Sequence, residues 1–161
     1  MFKEYDKAWA KYQERLALLP IPIISWEFYQ LPRAELKEFN EIQKYWSQKV
    51  DLAKVKKDKN LTVIVTDCEF KIVFASSNVM QMNGYHYKEL TGNSPKMFQG
   101  NETSLATTMK IRRAIGKREP FKAILLNYKK NGETYFCEIE AYPKFNAEGT
   151  FLNYIAFEKV A

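Results

Sequence analysis

The apolar residues of this chain follow one period up to about residue 55 and a different one beyond residue 60, and that change bounds what the chain can fold into. Phe2, Tyr5, Trp9, Tyr12, Leu16 and Leu19 recur at steps of three and four, the spacing that draws one stripe along a helix. Pro20 and Pro22 stop that stripe. Residues 25–29 read as a short turn or helix. Pro32 is placed to open a second helix, because its missing N–H costs nothing in a first turn. Leu36, Phe39, Ile42, Trp46, Val50 and Ala53 continue along it at steps of three or four, and the polar stretch 54–60 reads as a connector. Beyond it apolar residues alternate, the period of two that strands require.

Residues 61–67 and 70–75 predict a β-hairpin. Three short helical turns follow at 77–83, 87–90 and 94–97, separated by Gly84, Gly92 and Gly100, and then a longer helix at 104–117 with the polar start Glu102-Thr103-Ser104. Strands at 121–128, 134–143 and 150–160 complete the chain, the first two joined through Asn131-Gly132, a strong hairpin signal. Strands, helices, then strands imply the α+β class: a five-stranded antiparallel sheet with helices gathered over one face, preceded by an amino-terminal helical extension. The division expected is an extension at 1–58 and a domain at 60–161. Stripes this aromatic need cover, so the extension is expected to pack on the free face of the sheet, to form a homodimer with a second copy, or both.

Composition excludes several functions. Of 161 residues 46% are apolar, enough for a real core. One histidine, His86, and two distant cysteines, Cys68 and Cys137, leave no metal ligand set, no disulfide framework and no nucleophile–histidine pair. No nucleophile, base and electrophile converge, so no enzyme is expected. The net charge of +6 is split evenly, +3 on either side of residue 60, with acids interleaved among bases. A nucleic-acid binder would concentrate it in one stripe, so no nucleic-acid partner is expected. The longest apolar run, residues 16–24, has nine residues and two prolines, where a spanning helix needs about 20. No apolar signal segment follows the first residues. The expectation is a cytoplasmic protein with free thiols and no membrane partner.

Strand alternation assigns faces. Tyr135, Cys137, Ile139 and Ala141 share one face of their strand, so Cys137 points inward; Phe136, Glu138, Glu140 and Tyr142 share the other. In the last strand Leu152, Tyr154, Ala156, Glu158 and Val160 share one face, and Phe151, Asn153, Ile155, Phe157 and Lys159 the other. Both faces of that strand are largely apolar, so both need covering. Glu158, on an apolar face, either reaches water at a fraying end or lines a cavity. If buried with no bound ligand against it, it needs a partner such as Lys96 or Arg112.

These residues carry a family pattern. Residues 60–161 resemble a PAS domain and, more narrowly, its LOV (light-oxygen-voltage) branch. Asn83-Gly84-Tyr85 with Glu89-Leu90-Thr91-Gly92, the run Gly92-Asn93-Ser94-Pro95-Lys96-Met97-Phe98-Gln99-Gly100, and Leu125-Leu126-Asn127-Tyr128-Lys129-Lys130-Asn131-Gly132 follow the branch's signatures in order. The resemblance implies a pocket whose polar side chains read a flavin ring and whose cations meet its phosphate. At the matching positions Gln99, Asn127 and Arg112 keep the family residue. Lys96 replaces Arg, keeping the charge but not the bidentate fork. Ser94 replaces Asn, Cys137 replaces a second Asn, and Glu158 replaces Gln. Pro95 stands where photoactive members carry the cysteine that attacks the flavin.

Those departures imply the loss of adduct photochemistry and a weakened hold on flavin, since a site built on hydrogen bonds suffers when partners are missing. The reading that results is a non-enzymatic sensory and protein-interaction module in signal transduction, with no cofactor. It would act through a homodimer or a signalling partner, with a small-molecule ligand as a further input. The alternative is a cysteine-less LOV-type photo- or redox sensor holding FMN or FAD. His86, beside Tyr85 and Tyr87, reads as structural and not as a haem ligand.

Overall fold

In a computed structural model the backbone is described over residues 24–161 and side chains over residues 33–161. Two compact units divide between Ala34 and Glu35, and the unit described here is Glu35–Ala161. The aromatic stripe between Phe2 and Leu19 lies outside the described residues.

Helix α1 (Ile24–Ile42) is followed by a 3-10 turn (Gln43–Tyr45) and the short helix α2 (Leu52–Val55). Then come β1 (Thr62–Thr66), β2 (Ile72–Ala75), α3 (Val79–Asn83), α4 (Tyr87–Leu90), a 3-10 turn (Pro95–Phe98), α5 (Leu105–Lys117), β3 (Phe121–Tyr128), β4 (Thr134–Phe145) and β5 (Phe151–Val160). The strands form one antiparallel sheet in the order β2-β1-β5-β4-β3. The chain's last strand thus lies at its centre, with β1 on one side and β4 on the other.

Local chemistry sets the boundaries. Ser104 caps α5, its hydroxyl accepting from Thr107 N at 3.3 Å. His86 caps α4: its Nδ1 accepts from Lys88 N at 3.3 Å, while Glu89 reaches back to His86 N at 2.9 Å. The lone histidine is therefore a helix cap. Gly132, at φ 88°, supplies the left-handed residue that the β3–β4 turn requires.

The sheet is covered on its inner face and, over β1, β2 and β5, on its outer face, while Ile124 of β3 and Phe136 of β4 are exposed. On the inner face Ile64, Ile72, Leu125, Ile139, Ala141 and Tyr154 form a core with Val79, Leu90 and Phe98 from the helices. On the outer face Val63, Val65, Phe74 and Ile155 pack with Phe39, Trp46 and Leu52. Phe39 is fully buried, its ring 5.2 Å from that of Phe74 and 5.9 Å from that of Trp46. Glu35 ties the same segment to the approach of α3, accepting from Ser77 N at 3.0 Å and pairing with Lys56.

Three expectations change. Pro32 lies inside α1, which starts eight residues earlier, at Ile24. The helix expected from Pro32 to Ala53 stops at Ile42, because the buried Gln43 side chain clamps the chain into a loop. Its Oε1 accepts from Val50 N at 2.8 Å and its Nε2 donates to Val50 O at 3.1 Å. Loop and helix both feed the outer core, which is why the periodicity ran on. Third, Phe151 joins the inner core, not the face of Ile155, since the β4–β5 register shifts between Lys144 and Phe145. Strand β4 also runs two residues past Pro143. No helix among the described residues is long and apolar enough to cross a membrane.

Candidate functional site

Between the inner face of the sheet and the elements Pro95–Phe98 and α5 lies a cavity of about 570 Å³. Its floor is Ile64, Leu125, Ile139, Ala141, Tyr154 and Ala156; its roof is Phe98, Thr108, Ile111 and Ile115. Two apolar walls with few polar groups suit a flat, largely apolar ligand of cofactor size.

The polar groups are sorted by depth. Asn127 and Glu158 are 3% and 5% exposed, while Lys96 and Arg112 are exposed at the mouth. Ser94, Pro95 and Gln99 line the wall between them, half-buried. Ser94 is engaged as a cap, its hydroxyl accepting from Lys96 N at 3.4 Å, and Pro95 takes the first position of that turn. The backbone just past Gln99 is pinned to β3. Gly100 N donates to Thr103 Oγ1 at 2.9 Å, and Thr103 Oγ1 donates to Leu126 O at 2.8 Å. Gly100 itself packs on Tyr128, where a Cβ would meet the ring at 2.5 Å.

Six of the seven anticipated residues therefore line one cavity: Ser94, Lys96, Gln99, Arg112, Asn127 and Glu158. Cys137 does not. It is fully buried behind Glu158, its thiol donating to Glu158 Oε2 at 3.6 Å. Burial pushes the Cys137 thiol far up, and Glu158 pushes it further. Burial likewise raises Glu158 from 4.5 to about 7, against the opposing hydrogen bond from Cys137. The expected partnership with Lys96 or Arg112 is absent, because both cations sit at the mouth and the carboxyl lies deep.

A buried polar cluster adjoins this end of the site. Among the described residues Asn127 Oδ1, Asn83 Nδ2, Tyr135 OH and Thr62 Oγ1 are buried without a well-formed hydrogen bond, the Tyr135 hydroxyl lying close to Asn83 and Asn127. Native interiors rarely leave such groups alone, and Asn127 lines the cavity, so its free oxygen marks a place where a ligand's donor would be satisfied. Alternation alone places Tyr135 inward, but nothing in the sequence marks its hydroxyl as part of the polar cluster beside the cavity. Thr108 was also missed; on helical spacing it is one turn before Arg112.

The family model for the PAS domain matches residues 60–159. Among curated proteins, Protein TWIN LOV 1 of Arabidopsis thaliana is 35% identical over 88 residues, 54% of this chain and 22% of that protein. A blue-light-activated histidine kinase of Brucella ovis is 31% identical over 85 residues, 53% of this chain and 17% of the kinase. The chain thus spans about a fifth of the length of the curated relatives it matches. Among solved structures, the dark state of the blue-light photoreceptor Aureochrome1 LOV superposes with a TM-score of 0.63 at 25% identity, over 71% of this chain and 86% of that one. A light-oxygen-voltage domain studied with a flavin analogue gives 0.64 at 25% identity, over 70% and 86%.

The expectation of no cofactor falls on these findings. One relative is a blue-light-activated kinase, one structural neighbour is a blue-light photoreceptor and another was studied with a flavin analogue, which points to FMN or FAD instead. The substitutions at Ser94, Cys137 and Glu158 leave the cavity and its buried polar end in place. With the sheet order, the cavity and the family match in agreement, the chain belongs to the PAS domain family, as a LOV-like sensory domain.

Proposed function

We propose that this chain is a flavin-binding LOV-type photo- or redox sensor without the adduct-forming cysteine. The observation that carries the reading is the cavity itself: apolar above and below, polar and buried at one end, cationic at the mouth. Asn127, Gln99 and Glu158 would hold the ring edge, and Lys96 and Arg112 would meet an anionic tail. A bound flavin supplies absorption of blue light and one-electron chemistry.

Neither cysteine lines the cavity. Pro95 occupies the wall where the family carries its cysteine, Cys137 is held neutral by burial, and Cys68 is exposed outside the cavity. The output would be a change of contacts toward a second copy or a signalling protein. Incubating the purified chain with FMN and with FAD, then removing free flavin, tests the reading. A protein that retains a structured blue absorption band supports it, and a colourless protein rejects it.

A further inference from the structure

The deep end of the cavity is closed by a carboxyl that pairs with no cation among the described residues. Glu158 stands on the inner face of the central strand, and among the described residues its hydrogen-bond partner is the Cys137 thiol at 3.6 Å. Its neighbours are neutral. Cys137 and Tyr135 on β4 are both held protonated by burial, first of all. Across the strands it is paired with Thr62 and Ile139, and β3 contributes Asn127. The cavity's charged groups, Lys96, Arg112, Glu69 and Lys71, form no ion pair with it.

A carboxylate there gives up its hydration for one weak thiol donor, whereas the neutral acid gives up far less. The two forms also differ in what they offer a ligand. A neutral carboxyl carries one O–H donor and one carbonyl acceptor, the same pair as a carboxamide; the ionised group only accepts.

We propose that Glu158 serves the cavity as a neutral acid that donates a hydrogen bond to an acceptor atom of the bound ring, so that occupancy falls when the carboxyl ionises. The inference rests on the flavin reading and adds to it the residue that makes the site sensitive to pH. It also accounts for Glu158 where the family pattern has Gln: the donor thought lost is retained while the proton is held.

Riboflavin is the probe, because it has no phosphate to titrate in the same window. Its affinity is measured by fluorescence quenching on the full chain and on Glu158→Gln, from about pH 5.5 to about pH 8.5. For the native chain the affinity should weaken about tenfold per pH unit above about 7, and for Glu158→Gln it should stay flat. A flat native profile, or the same slope in both proteins, overturns the proposal and leaves the flavin reading standing. Absence of binding to either protein at every pH removes the flavin reading and this inference with it. If Glu158→Gln does not fold, the Glu158 carboxyl is titrated by isotope-edited NMR in the native chain with and without riboflavin. Ligand that raises the midpoint supports the proposal; ligand that leaves or lowers it refutes it.

Discussion

Trp46 donates its indole N–H to Asn153 Oδ1 at 2.8 Å, across 107 residues of sequence. Asn153 in turn donates to Thr66 O at 3.0 Å, so one side chain links the segment after α1 to both β5 and β1. Trp46 is 2% exposed, and its ring also lies under the Lys144 ammonium. Trp46→Ala should cost about 3–5 kcal/mol in urea denaturation, and Trp46→Phe about 1–2 kcal/mol, the difference separating the packed ring from the hydrogen bond. A loss below about 1 kcal/mol for Trp46→Ala would mean that the outer face is not held by this residue.

Glu158 links stability to pH in a definite direction. Its folded value of about 7 lies above the ordinary 4.5, so the folded chain binds this proton more tightly than the unfolded chain does. The stabilisation is complete below 4.5, declines as the pH rises through the interval, and is gone above about 7. The span is on the order of 3 kcal/mol. Melting of the unliganded native chain compared with Glu158→Gln across that interval should show the native chain alone losing stability. Parallel curves would place the carboxyl in water.

Gly100 has no room for a side chain. An added Cβ would fall 2.5 Å from the Tyr128 ring, and that ring is fixed by its hydroxyl, which accepts from Glu102 N at 3.1 Å. Gly100→Ala should therefore cost about 1–3 kcal/mol by thermal or chemical denaturation. Adding Tyr128→Leu should recover part of that loss, a coupling that independent sites would not show.

The cations at the mouth should tell FMN from riboflavin. Lys96 and Arg112 are exposed and stand apart from the buried polar end. Replacing both by Ala should weaken FMN about tenfold to a hundredfold, in line with loss of charge-assisted hydrogen bonds to a phosphate. Riboflavin affinity should change little. Equal losses for both ligands in calorimetric titration would show that these residues shape the cavity and do not read the tail.

Much of this was legible because alternation is a rigid rule. It puts Cys137 inward and sets Tyr154 and Glu158 on one shared face without help from any family resemblance, and the three are found on the inner face. Asn131-Gly132 located the β3–β4 turn for the same reason: few residues accept its backbone. What failed were features set at a distance. The end of α1 depends on Gln43 reaching Val50, and a period of three and four cannot see a side chain close a loop. The inward turn of Phe151 depends on a register shift against β4. The position of Cys137 behind the cavity wall, and the separation of Glu158 from Lys96 and Arg112, depend on depth, which no linear pattern records.

Strand β5 is a partition one residue thick. Glu158 looks into the cavity, and its chain neighbour Phe157 looks the other way, its ring 6.3 Å from that of Tyr142. Ile155, two positions back from Phe157, is sealed beneath the same layer as Phe39 and Trp46. Close packing at Ile155 on the outer side leaves the strand little slack there, while its inner side borders the cavity. The cavity-lining Glu158 and the outward Phe157 are thus joined by a single peptide unit.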